Sequence, residues 1–127
     1  ILTAPAAQAQ QDSVFANYED YAAFVDDHIN SRDFIPLILR LGGRDEYTQE
    51  ELEGTNAQLR RIWQNDFESG AVFKEVDLGG GIRQDGRIYW TGTGYGYFYA
   101  LMLDRPDGFV VLCFHLISKS SDVLSRF

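Results

Sequence analysis

The stretch Tyr95-Gly-Tyr-Phe-Tyr-Ala-Leu-Met-Leu-Asp-Arg-Pro-Asp-Gly-Phe-Val-Val-Leu-Cys-Phe-His-Leu-Ile117 decides the fold, because its two alternating sets of side chains differ in chemistry. Pro106-Asp107-Gly108 suits a three-residue hairpin loop: proline fixes φ at the first turn position and glycine takes the left-handed position of a bulge. Such a loop closes at Arg105 and Phe109. Counting back sets Met102 opposite Leu112, Ala100 opposite Phe114 and Phe98 opposite Leu116. One face then reads Phe98, Ala100, Met102, Val110, Leu112, Phe114 and Leu116, with no charge on it. The other carries Tyr95, Tyr97, Tyr99 and Leu101 beside Val111, Cys113, His115 and Ile117, with Tyr99 opposite His115. A slip of one residue would mix the sets, so a buried face specifies the register.

Working backwards, Val72, Lys74, Val76 and Leu78 alternate with Phe73, Glu75 and Asp77, the pattern of a half-buried strand. Gly79-Gly80-Gly81 is expected to bulge or bend that strand, Asp85-Gly86 to form a two-residue turn, and residues 87–90 to return. Before residue 70 the period is helical. Ser13 serves as an N-cap for a helix carrying Val14, Tyr18, Tyr21, Phe24, Val25 and Ile29 at steps of three and four. A second helix over residues 32–41 has Pro36 near its first turn and Gly42-Gly43 as its stop. Thr48-Gln-Glu-Glu51 is a capping box for a third, with Leu52, Thr55, Leu59, Ile62 and Trp63 as its buried stripe. Segregated helices and strands predict an α+β fold: three N-terminal helices packed on one face of a curved antiparallel sheet of about four strands.

Length and charge bound the rest. A chain of 127 residues fits one domain, assigned to residues 12–127, and buries roughly two-thirds of its unfolded surface without staples. No apolar run approaches the ~20 residues of a membrane-spanning helix. The net charge of −8 falls in the first half, where residues 1–70 hold 13 acidic side chains against 5 basic ones. That surface repels phosphate backbones and anionic lipid, so nucleic acid is a poor partner. Ala7-Gln8-Ala9 has the form of a signal-peptidase site, and residues 1–11 read as the remnant of a bacterial export signal or as a disordered tail. The expected location is periplasmic or secreted, and cytoplasmic if the tail is no signal.

Motifs for cofactor chemistry are missing. The glycines at 79–81 and at 92, 94 and 96 sit between strands rather than opening a helix, so they are no phosphate-binding loop. His28 and His115 have no ligand-spaced partner, which argues against a metal site, and no cofactor is expected. Cys113 in mid-strand behaves as a small hydrophobe. The catalytic candidates are His115, as general acid or base, and Tyr99 across the hairpin from it. Exposed tyrosine stripes suit interfaces, since the ring supplies area while the hydroxyl stays wet, so Tyr95 and Tyr97 are candidate interface residues.

Helices followed by a meander that ends in Phe98-Tyr-Ala-Leu-Met-Leu-Asp-Arg-Pro-Asp-Gly-Phe-Val-Val-Leu-Cys-Phe114 resemble the nuclear transport factor 2-like superfamily and its SnoaL-like relatives, over roughly residues 13–118. The resemblance implies a cone-like fold enclosing a pocket between sheet and helices, and a homodimer through the sheet's outer face. Three readings of function follow. The first is binding of a hydrophobic or aromatic small molecule between the third helix and the sheet, lined by Trp63, Phe98, Met102 and Phe114 with Trp90 at the rim. The second is a protein–protein interaction or dimerisation module using the Tyr/His face. The third is a proton-transfer enzyme, of isomerase, dehydratase or hydrolase type, using His115 and Tyr99.

Overall fold

The computed structural model describes residues 13–43, 47–92 and 94–127. Its elements run β1 (Val14–Phe15), α1 (Tyr18–Asn30), α2 (Phe34–Ile38) continuing into a π-helical turn (Leu39–Gly43), α3 (Gln49–Ile62), β2 (Ser69–Gly79), β3 (Ile82–Thr91), β4 (Gly94–Arg105), β5 (Gly108–Ile117) and α4 (Ser120–Leu124). The strands form one open antiparallel sheet in the order β1-β5-β4-β3-β2. The fold is α+β, with four helices and five strands among the described residues. The elements beyond the expected three helices and about four strands are β1 and α4, whose two and five residues are too short to show a period. The segment read as an export-signal remnant lies outside the described residues.

The helices start and stop for local reasons. Val14 and Phe15, expected inside the first helix, instead pair with Val110 and Phe109. The cap therefore moves from Ser13 to Asn17, whose side chain accepts the Asp20 N–H at 2.8 Å. Tyr21, Val25 and Ile29, four residues apart, form the buried stripe of α1. Both halves of the α3 capping box are made: the Glu51 N–H donates to Thr48 Oγ1 at 3.1 Å and the Thr48 N–H to Glu51 Oε1 at 2.9 Å. On α3 only Leu52 is fully buried, and Trp63 closes its end with its indole N–H donated to the Tyr95 carbonyl at 2.8 Å.

Two departures in the sheet set the functional geometry. Asp85-Gly86 is no turn: β3 runs straight through it, with Asp85 opposite Ala100 and Gly86 opposite Tyr99. The chain reverses instead at Gly79-Gly80-Gly81, all three at positive φ (89°, 65° and 86°). Gly86 serves close approach rather than turning, since a Cβ there would sit 2.7 Å from Phe127 Cζ and 2.9 Å from Phe73 Cζ.

The second departure lies in the last hairpin. Arg105 pairs with Gly108, so the turn has two residues, Pro106 and Asp107. The residue thereby gained is released at Leu112, as a bulge between the pairs Met102–Val111 and Leu101–Cys113. The pairs Phe98–Leu116, Ala100–Phe114 and Tyr99–His115 stand as read, whereas Met102 faces Val111. Between the turn and the bulge the parity is inverted, and Phe109 and Val111 enter the core in place of Val110 and Leu112.

The core joins α1, α2 and Trp63 to the inner face of β3, β4 and β5, around Tyr21, Phe34, Leu37, Phe98, Met102 and Phe109. On the outer face α4 seats Val123 against Tyr99 and Ile117, with Phe127 packed beside them. Among the described residues strand β2 pairs with β3 alone and, contrary to the half-buried strand expected there, is exposed along nearly its whole length.

Candidate functional site

Because β3 continues through residue 86, alternation points Asp85, Arg87 and Tyr89 inward, beneath α1. The sequence assigned no charge to this face of the sheet. The Arg87 side chain is 5% exposed and the Asp85 side chain 1%. Arg87 Nε donates to Asp85 Oδ2 at 3.1 Å, Nη1 to Asp26 Oδ1 at 3.3 Å and Nη2 to the Tyr18 hydroxyl at 2.7 Å. Tyr18 in turn donates to Asp85 Oδ2 at 3.0 Å, and Tyr89 to Asp26 Oδ1 at 2.6 Å. One guanidinium thus ties the middle of β3 to two points on α1, Tyr18 and Asp26, about two helical turns apart. The Arg83 guanidinium stacks over the Tyr18 ring at 4.5 Å.

Burial governs the ionisation of this cluster. It pushes the Asp85 carboxyl up, against the opposing pull of Arg87, and it leaves Asp85 Oδ1 and the Tyr21 hydroxyl without a hydrogen-bond partner among the described residues. Tyr18 is pushed up to about 12, again mainly by burial, and Tyr21 and Tyr89 move the same way. The tyrosines therefore remain protonated donors at neutral pH. With the Arg87, Tyr18 and Tyr89 donors taken by internal acceptors, the cluster fastens α1 to the sheet. Asp-Gly, the strongest turn signal in the sequence, concealed it. The contrary signal was that Arg83, Asp85, Arg87 and Tyr89 alternate unbroken through that supposed turn, after three glycines that had already turned the chain.

A groove lies between α3 and the sheet. Ile38, Leu41 and Gly42 of α2 and the π-helical turn, Tyr47, and Thr55 and Leu59 of α3 form one side; Leu112, Cys113, Phe114, His115 and Leu116 of β5 form the other. It encloses about 380 Å³. Leu112, turned out by the bulge, is 51% exposed. The depressions beside Trp63–Glu68 and at the Gly79-Gly80-Gly81 turn, of about 640 and 530 Å³, are lined mainly by polar side chains and glycine backbone.

Of the residues assigned to a ligand pocket, Phe114 borders the groove. Trp63, Phe98 and Met102 come together in the packed core and do not line this groove, although Trp63 also borders the depression of about 640 Å³. Trp90 lies on the opposite face of the sheet, paired with Tyr95, because its neighbour Tyr89 points inward. Among the interface candidates, Tyr95 is exposed and Tyr97 is half-buried, edge-on to Phe73 with ring centres 6.5 Å apart. Tyr99 is buried beneath α4 and Phe127, so the chain itself covers this part of the face that was read as a subunit contact.

The proposed catalytic pair is poorly set for proton transfer. The Tyr99 hydroxyl accepts from Gln84 Nε2 at 2.9 Å, and the Tyr99 and His115 ring centres are 6.1 Å apart at 34°. Burial, and then the charge of Arg126, lower the His115 pKa. A histidine with a lowered folded pKa costs no stability above its unfolded value of about 6.5, and costs progressively more as pH falls through the folded value. His115→Asn should therefore flatten the acid limb of stability: its melting temperature relative to wild type should rise between pH 7 and pH 5, and a constant offset over that range would refute the assignment.

Among the described residues no cluster of three or more His, Cys, Asp or Glu side chains could hold a metal ion, and no helix is long and apolar enough to cross a membrane. A scan against protein-family models and searches of curated proteins and of solved structures found nothing that matches this chain.

Proposed function

We propose that this chain is a non-catalytic binding domain that takes a hydrophobic or aromatic small molecule between α3 and β5. One observation carries the reading: an open groove of about 380 Å³ in which Leu59, Leu112, Phe114 and Leu116 offer apolar surface beside Thr55 and Tyr47. The non-catalytic reading is supported by the internal pairing of Asp85, Arg87 and Tyr18, the densest set of ionisable groups on the inner face. Helices leading into an antiparallel meander, with the groove between them, support a cone-like, nuclear transport factor 2-like arrangement as part of the same proposal.

The test is a thermal-shift screen with 1-anilinonaphthalene-8-sulfonate, medium-chain fatty acids and aromatic acids. A ligand at a hundred times its Kd adds about 2.7 kcal/mol of stability, a rise on the order of 10 °C for a chain of this size. Leu59→Trp should fill the groove and abolish that rise while shifting the unliganded melting temperature by only a few degrees. A wild-type protein that binds none of these probes, or a variant that binds them as wild type does, would refute the groove as the site.

A further inference from the structure

We infer that Asp107-Gly108, at the tip of the β4–β5 hairpin, is a site of spontaneous covalent modification. In the folded protein its aspartate closes to a succinimide and reopens as isoaspartate, and the aged chain becomes a substrate for isoaspartyl methyltransferases. The inference stands apart from the groove-binding reading above.

The main-chain nitrogen of Gly108 attacks Cγ of the Asp107 carboxyl, and a new N–C bond forms. The amide proton and the carboxyl hydroxyl leave together as water. Water then adds to one of the two imide carbonyls. Breaking the bond from nitrogen to the side-chain carbonyl restores aspartate, whereas breaking the bond to the main-chain carbonyl leaves isoaspartate, with one extra main-chain carbon and a free α-carboxylate. One water is lost and one regained, and nothing is oxidised or reduced. Glycine in second place exposes the attacking nitrogen, because it has no Cβ to crowd the ring closure.

The sequence holds this dipeptide at two places, and the fold separates their fates. Asp85-Gly86 lies in mid-β3 between two ladders, facing Glu75 and Lys74 on one side and Ala100 and Tyr99 on the other. Its carboxylate accepts from Arg87 Nε and the Tyr18 hydroxyl, and the rings of Phe73 and Phe127 lie against Gly86. Turning that carboxyl onto the Gly86 nitrogen breaks both ladders and the charged cluster. Reaction there waits on global unfolding, populated on the order of one molecule in a thousand or fewer. Asp107 is the opposite case, with its side chain 72% exposed in a turn of two residues between Arg105 and Gly108. Arg105 meets its carboxylate through Nε at 3.1 Å and Nη2 at 3.4 Å, an exposed ion pair too weak to fix it. Exposed hairpin tips open at far lower free energy than the core, which gives the Gly108 nitrogen its approach.

The product adds one main-chain atom to that short turn. Gly108 already lies against β1, since a Cβ on it would sit 2.8 Å from Val14 Cγ1. Strand β1 is held by the pairs Val14–Val110 and Phe15–Phe109 and by the Val111 N–H on the Ser13 carbonyl, so isoaspartate at position 107 loosens it.

The test ages the full chain at neutral pH and physiological temperature, folded in buffer and unfolded in guanidinium chloride. Trypsin separates the two sites into peptides 84–87 and 88–119, electron-transfer fragmentation locates the isoaspartate, and an isoaspartyl methyltransferase with labelled methyl donor counts it. In denaturant both dipeptides are expected to convert at similar rates. In the folded chain Asp107 should convert at least about tenfold faster than Asp85. Asp107→Glu, whose ring closure is much slower, should remove most of the methyl acceptance of the aged folded protein. Hydrogen exchange at the Val111 amide should be faster in the converted fraction.

An Asp107 that converts in denaturant but stays intact in the folded chain would overturn the proposal by showing the turn closed to the reaction. Equal rates at Asp85 and Asp107 in the folded chain would overturn it by showing that the fold selects neither. Unchanged Val111 exchange in the converted fraction would refute the loosening of β1.

Discussion

Arg87→Met is expected to destabilise the protein by about 3–5 kcal/mol, because it strands a buried carboxylate. Arg87 and Asp85 are both almost wholly inaccessible, and the guanidinium supplies Asp85 Oδ2 with one of its two donors. Without it, Asp85 keeps only the Tyr18 hydroxyl, and Tyr18 itself loses the Nη2 donor. Asp26 fares better: it retains Tyr89 and its side chain is 47% exposed, so water can replace Nη1. The double variant Asp85→Leu/Arg87→Met should recover most of the loss, since replacing a whole buried pair by apolar side chains of similar bulk is often neutral. Urea unfolding of the wild type, both single variants and the double gives the coupling; a loss below 1 kcal/mol for Arg87→Met would mean that the pair is solvated.

The same variant should carry a pH signature. The Asp85 carboxyl titrates above its unfolded value in the native protein, so the folded state holds the extra proton and Asp85 costs stability as pH rises from about 4 through the folded pKa. Removing Arg87 raises that folded pKa further. The variant should therefore lie closer to wild type at pH 4 than at pH 7, and a deficit that does not change with pH would assign the loss to packing alone.

Phe98→Ala should cost about 3–5 kcal/mol, the range for emptying a buried phenylalanine site, because Phe98 is fully buried in the core of the sheet. Phe114, whose ring lies near it with centres 6.2 Å apart, is only half-buried at the groove. Phe114→Ala should cost about 1–2 kcal/mol, in line with the smaller area it removes from water, yet it should lose the groove ligand. Chemical denaturation and probe titration of the two variants separate core from site. Equal destabilisation by both, or ligand binding unchanged in Phe114→Ala, would contradict the division drawn between them.

How legible the molecule was depends on the length of each signal. The α3 capping box and the strand pairs Phe98–Leu116 and Tyr99–His115 were readable because each rests on local chemistry or on a long alternation. The hairpin loop was counted one residue too long, and the error surfaced six residues away as a bulge at Leu112. A bulge exchanges turn length for strand length and leaves little trace in hydrophobic alternation when, as at residues 109–112, every side chain is apolar. Asp85-Gly86 misled for a different reason. A glycine demanded by aromatic rings lying against the strand looks the same in sequence as one demanded by φ. The groove depended on the first of these corrections, since the bulge turns Leu112 outward to line it.

Strand β2 gives the sheet a gradient of firmness. β4 is flanked by two long ladders and covered on both faces, by the core and by α4, and β3 is bolted to α1 through Arg87. β2 has one neighbour and almost no covered side chains. Its opening exposes little apolar surface and breaks one ladder, so its local opening free energy falls well below that of global unfolding. Mechanically the molecule amounts to a stiff palm with one outer finger, and hydrogen exchange is expected to show β2 opening before the strands that border the groove.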